Sequence, residues 1–151
     1  MILFGALKTK PFFTNKEKEQ IMAAIAEAEK CTSGEIRVHI EAGTGKEPIV
    51  RAKEVFEKLG MVKTDLRNGV LIYLAAKDRR FAIIGDQGID RVVPANFWEE
   101  TKEEMGLLFK EGRFVDGVSC GIRSVGQHLA VHFPYKCGDV NELSNEISEQ
   151  A

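Results

Sequence analysis

Apolar residues recur along this chain at helical spacing, at strand spacing and in unbroken runs, and each pattern predicts an element. Ile21, Ala24, Ile25 and Ala28 form one stripe behind Thr14 and Glu17, which have the spacing of a capping box. A first helix therefore begins at Thr14 and stops at "CTSG", where Gly34 takes conformations other residues resist. "EIRVHIE", residues 35–41, alternates strictly, with Ile36, Val38 and Ile40 on one side and Glu35, Arg37, His39 and Glu41 on the other. That predicts a strand half exposed to solvent and near a sheet edge. A second helix is expected over residues 47–59, with Ile49, Ala52, Phe56 and Leu59 inward and Gly60 as its stop. "VLIYLAA", residues 70–76, is apolar on both faces and belongs at the sheet centre. "KDRR" leads straight into "FAIIG", which predicts a hairpin.

Pro94 suits the first turn of a third helix carrying Phe97, Trp98, Met105 and Leu108, and Gly112 breaks it. A fourth helix starts near Asp116 as N-cap, carries Val118, Ile122, Val125 and Leu129, and ends at "HFP". The tail from Tyr135 is expected to fray, with a short weak helix over residues 143–148. The strand–helix–strand unit should pair its strands in parallel, and the hairpin adds an antiparallel third. An α/β fold follows, a small mixed sheet with helices on its faces. The expected organisation is an N-terminal extension over 1–13, one domain over 14–133 and a polar tail over 134–151.

Composition narrows the class. Of 151 residues 44% are apolar and 29% charged, which is the make-up of a globular protein. The 23 acids nearly balance 21 bases, so nothing points to nucleic acid, which asks for a basic face. No stretch approaches the roughly 20 apolar residues of a membrane span. "MILFGALKTKPFF" is a poor signal peptide, and the expected location is cytoplasmic. Cys31, Cys120 and Cys137 are too few and too scattered for a disulfide framework or a zinc ribbon. Cys120 is expected in the core, and Cys137 in the tail is either a surface thiol or inert.

Motifs remove several chemistries. There is no P-loop, no GxSxG elbow and no Cys–His pairing readable from spacing. "GTG" at 43–45 offers backbone amides to an anion or is a flexible connection. His128 and His132, four apart on a helix, share one face, but no acidic third ligand accompanies them. His39 on the polar side of its strand is expected to be solvated or to reach a neighbouring strand.

The acids are better placed. In a hairpin the end of the third strand lies beside the start of the second, so Gly85 and Asp86 approach Asp65, Arg67 and Asn68. A parallel first strand brings Glu35 to the same end. Three distant segments thus deliver Glu35, Asp65, Asn68, Asp86 and Asp90 to one edge, and Asp116 joins them if the last helix begins there. Gathered carboxylates repel one another, and a hard cation such as Ca²⁺ or Mg²⁺ relieves this through oxygen ligands. The alternative is that Asp86 and Asp90 serve a turn and cap a helix, neutralised by Arg67 or Arg91.

"TSGEIRVHI", "NGVLIYLAAKDRRFAIIGDQGID" and "FKEGRFVDGVSCGI" resemble the three blocks of the TPM-domain family over roughly residues 14–131. Its members occur in thylakoid lumens, where they are linked to photosystem II repair, and widely in bacteria. The resemblance implies a three-layer sandwich, a central sheet with helices on both faces. It also implies divalent-cation binding, chiefly calcium, and for some members an acid-phosphatase activity. The family's glycine–acid turn maps to Gly85, Asp86, Gly88 and Asp90, and its strand start to Gly34 and Glu35. Its last block maps to Gly112, Arg113 and Phe114, with Asp116 the nearest acid; Arg113 stands where an acid is often found. Lacking the leader, membrane helix and glycine-rich tail of many members, the chain resembles a short soluble branch.

Three functions are thus expected, in order. The first is a cation-binding domain, for Ca²⁺ or Mg²⁺, acting through a protein partner or a structural role. The second is a metal-dependent acid phosphatase for phosphate monoesters, with Asp86 as nucleophile or base. The third is an interaction module without metal.

Overall fold

A computed structural model of the chain describes residues 12–135 and 143–150. Thr14 opens α1 (Asn15–Glu29) with a complete capping box: its hydroxyl accepts from Glu17 N–H, and the Glu17 carboxylate accepts from Thr14 N–H. Two otherwise orphaned donors are thereby satisfied, as the sequence required. Ile21 and Ile25 of α1 are buried.

The sheet is built from β1 (Glu35–Glu41), β2 (Gly69–Ala75), β3 (Arg80–Gly85) and the two-residue β4 (Ser148–Glu149), in the order β3-β2-β1-β4. β1 and β2 run parallel with Glu35 opposite Gly69, and β2 and β3 form the expected hairpin with Val70 opposite Gly85. Between β1 and β2 lie α2 (Pro48–Lys58) and a short 3₁₀ turn, Met61–Lys63. After β3 come a single turn, α3 (Gln87–Asp90), then α4 (Phe97–Lys110) and α5 (Phe114–His132).

Helices cover both faces of the sheet, so the architecture is the expected three-layer α/β sandwich. One core joins Ile36, Val38, Val70 and Ile72 to α1, α4 and α5 through Ile25, Met105, Ile122 and Val125. The other packs Leu71, Tyr73 and Ala82 under Ala52, Val55 and Phe56 of α2.

Several expectations need correction. β1 is neither half exposed nor an edge strand: β4 pairs on its outer side, with His39 opposite Ser148, and Glu35, His39 and Glu41 are all buried. Alternation reports which face is polar, and here that face is covered by α2 and by the C-terminal segment. The tail forms no helix over 143–148; its end is extended along β1, with Gln150 N–H donating to Ile40 O. Pro94 lies ahead of α4 rather than in its first turn, and Ile49 of α2 is exposed. Asp116 is not the N-cap of α5, which begins two residues earlier at Phe114. Among the cysteines, Cys31 is exposed and Cys120 half buried, while Cys137 lies outside the described residues.

Candidate functional site

The strand–turn–helix at residues 83–90 is organised by Asp86. It is the N-cap of α3, with Gln87 N–H donating to Oδ1 at 2.8 Å, and only 6% of it is exposed. Both carboxylate oxygens also face one guanidinium, Arg67 Nε to Oδ2 at 2.6 Å and Arg67 Nη2 to Oδ1 at 2.8 Å. This bidentate geometry is the strongest form of carboxylate recognition by a side chain. The hydrogen bond to Asp86 raises the pKa of Arg67 further.

The backbone around this pair is tightly constrained. Arg67 sits at φ +50°, a left-handed conformation that a bulky residue adopts only under constraint. Its carbonyl accepts from Gly88 N–H at 2.9 Å. A Cβ on Gly88 would fall 2.2 Å from Leu66 O, so only glycine allows this approach. Gly85 is equally crowded, since a Cβ there would lie 2.6 Å from the Trp98 ring.

The other acids of the expected set are distributed differently. Asp90 is exposed and accepts from Trp98 Nε1 at 3.1 Å; with Asp86 and Glu99 it lines a cavity of about 630 Å³ between α2, β3 and α4. Asp65 is exposed in the turn after the 3₁₀ segment and makes no ion pair among the described residues. Asn68 is buried, with its N–H on Thr64 Oγ1 and its carbonyl accepting from Glu35 N–H. Its Oδ1 has no hydrogen-bond partner among the described residues. Glu35 is buried at the start of β1, where its Oε1 accepts from Leu143 N–H.

Asp116 does not join them. It is exposed in the first turn of α5 and pairs with Arg113 at 3.0 Å. Phe114 beside it packs on Phe109, which packs on Phe81 near the start of β3, the end opposite Asp86. The far end of α5, at Leu129, is the part that reaches Gly34 and β1. At 1.5 Å per residue, the 13 positions between Asp116 and Leu129 put the two about 20 Å apart along the helix. Among the described residues no three His, Cys, Asp or Glu side chains stand close enough to hold an ion as they are.

The two histidines of α5 have different surroundings. His128 Nδ1 lies 3.2 Å from Ser124 O and its ring packs on Phe97 at 4.2 Å, while His132 is exposed. In the "GTG" loop, Asp78 stands against Gly43, where a Cβ would meet its carboxylate at 2.1 Å, and that charge disfavours an anion.

Pattern reading missed a buried polar network on the α2 face. Glu41 accepts four hydrogen bonds: Arg51 Nε at 2.9 Å, Arg51 Nη2 at 3.0 Å, Tyr73 Oη at 2.6 Å and His39 Nε2 at 2.9 Å. Burial alone would raise the Glu41 carboxyl, but the bonds from Arg51, Tyr73 and His39 outweigh it and hold it at about 2. Burial pushes His39 down, against the opposing pull of Glu41. The neutral ring donates from Nε2 to Glu41, which leaves Nδ1 to accept from the Ser148 hydroxyl at 3.0 Å. Ser148, His39 and Glu41 thus lie in one hydrogen-bonded line, yet the carboxylate is saturated by Arg51 and Tyr73. The network is a clamp on β1, α2 and β4. Its sequence signals were His39, whose expected reach to a neighbouring strand is realised at Ser148 of β4, and Tyr73, a polar tip in an otherwise apolar strand, opposite His39 in the parallel register.

These elements define a class: a three-layer α/β domain whose hairpin ends in an ion-paired, glycine-flanked acidic turn. The family model described as the TPM domain matches residues 8–128, and the chain belongs to that family. The BA42 protein of the psychrophilic bacterium Bizionia argentinensis, solved by NMR, is 46% identical, with a TM-score of 0.88 over 95% of this chain and 99% of that one. The N-terminal domain of the cg2496 protein of Corynebacterium glutamicum shares the fold at 13% identity and TM-score 0.62, over 93% of this chain and 81% of that one. So does the N-terminal domain of a P. gingivalis protein, at 18% identity and TM-score 0.65, over 82% of each chain. No curated protein matches the chain.

Proposed function

We propose that this chain is a divalent-cation-binding domain in which Ca²⁺, or Mg²⁺ more weakly, exchanges with Arg67 at the Asp86 turn. The observation that carries it is the Asp86 carboxylate, nearly buried yet neutralised by a guanidinium that is itself 38% exposed. Arg67 occupies the position a cation would take and is free to swing into solvent.

The donor set suits a hard ion. Asp86, Asp90 and Glu99 line one cavity, and all three offer oxygen only. The carboxylates do not yet converge, so a bound ion would keep several waters, and weak affinity in the millimolar range follows. Glu35, Asp65, Asn68 and Asp116 fall outside this smaller set. A carboxylate engaged on both oxygens is placed for ligand exchange rather than for attack on phosphorus, so the phosphatase reading ranks second.

Amide spectra followed through a Ca²⁺ titration test this. Shifts confined to residues 85–90, Arg67 and Glu99, and lost in Asp86→Asn, are the expected result. Spectra unchanged through millimolar Ca²⁺ would sink the proposal.

A further inference from the structure

A second cavity, of about 780 Å³, lies between the β2–β3 hairpin, α4, the start of α5 and the residues just before α1. Its size is that of pockets holding drug-sized ligands. Five aromatic rings line it: Phe12, Phe13, Phe81, Phe109 and Phe114. They form one edge-to-face and tilted series, with Phe12 on Phe13 at 4.9 Å, Phe12 on Phe114 at 5.1 Å and Phe81 on Phe109 at 4.9 Å. Phe12 and Phe114 remain 42% and 39% exposed although a core lies beside them. Large apolar groups left in the open beside a concavity mark a binding surface.

The polar side chains of this cavity are all of one sign. Lys77, Arg79, Arg80 and Lys110 line it, and among the described residues no acid, amide or hydroxyl does. Arg80 is paired with Glu47, whereas Lys77, Arg79 and Lys110 form no ion pair among the described residues. The nearby acids are turned elsewhere: Asp78 against Gly43, and Glu111 and Asp116 onto Arg113. Arg79 holds φ +54° at the hairpin turn, which keeps this side chain at the cavity rim at some backbone cost.

An apolar interior with an unneutralised cationic rim is complementary to one kind of molecule. We propose that this cavity binds an amphipathic carboxylate, a medium-chain fatty acid or its like. The apolar body lies among the phenylalanines, and the head group lies on Arg79, Lys77 and Lys110. A guanidinium pairs with the two oxygens of a carboxylate in a bidentate fork, and both lysines add charge. The cavity lies at the end of the sheet opposite Asp86, so it is independent of the cation site.

The test uses the full chain and three probes with a ten-carbon chain, decanoate and decyltrimethylammonium below their micelle concentrations and decanol below its solubility limit. Decanoate is expected to give saturable amide shifts at Phe81, Phe109, Lys110 and Phe114, and to bind at least about tenfold more tightly than the cationic probe. The double change Arg79→Glu and Lys110→Glu, at exposed positions, should erase that preference while leaving the circular dichroism spectrum unchanged. Raising the salt concentration should weaken decanoate on the unaltered chain and leave decanol alone, a check needing no variant. Equal binding of all three probes, shifts mapping elsewhere, or binding to anionic vesicles without binding to monomeric decanoate would each overturn the proposal.

Discussion

Glu41 and Asp86 both receive a bidentate arginine, and burial decides how differently the two pairs behave. The side chains of Glu41 and Arg51 are 2% and 12% exposed, whereas Arg67 on Asp86 is 38% exposed. An exposed pair is worth little because water and salt compete for both charges. A buried pair is costly to break, since removing one partner strands the other charge. Glu41→Gln is therefore expected to cost about 3–5 kcal/mol. The midpoint of urea unfolding at pH 7 should fall with its slope unchanged. The pH sign follows from the lowered carboxyl. Its contribution is present above the ordinary value of 4.5 and is lost as pH falls from there toward about 2. The variant should accordingly lose less stability than the unaltered chain over that window. By the same comparison, the cation proposed above would displace Arg67 rather than Arg51.

At the scale of elements, local signals were strong where a terminus or a run carries its own chemistry. Thr14 and Glu17 marked the start of α1, Gly112 at φ +77° marked the end of α4, and the apolar run of β2 marked the sheet centre. The α1 C-terminus holds a feature no pattern disclosed. Glu29 accepts from Ile36 N–H at 2.9 Å, and burial raises its carboxyl to about 7 despite that bond and one involving Asn145. A negative charge at a helix C-terminus is disfavoured as well. Because the folded value lies above 4.5, the folded state holds the proton longer, and stability falls as pH rises from about 4.5 to about 7. Glu29→Gln keeps an oxygen for Ile36 and removes the charge. Its melting temperature should match the unaltered chain below about pH 4.5 and exceed it above pH 7. Equal slopes for both proteins across that range would refute the assignment.

For the whole molecule, the C-terminal segment completes the sheet. Leu143 N–H reaches Glu35, Ser148 reaches His39, Glu149 pairs with Lys18 at 2.8 Å, and Gln150 donates to Ile40 O at 3.0 Å. A chain ending at residue 142 leaves the buried Glu35 and His39 short of these partners. Each such buried group left unsatisfied costs about 1–3 kcal/mol, so a thermal melt should show clear destabilisation. A melt unaltered by truncation would show that water replaces the segment without penalty. The sequence alone determined the four long helices, the parallel β1–β2 pair, the hairpin and the glycine-flanked acidic turn, because caps, periodicity and turn residues act over a few neighbouring positions. The identity of the partners was decided in three dimensions. The polar side of β1 read as solvent-facing until α2 and β4 closed over it. Asp116 read as a neighbour of Asp86 until the packing of α5 placed its start at the other end of the sheet. Asp86, Asp90 and Glu99 line one cavity, with Arg67 paired to the first of them, only because the hairpin register and the seating of α4 bring them there, and spacing along the chain encodes neither.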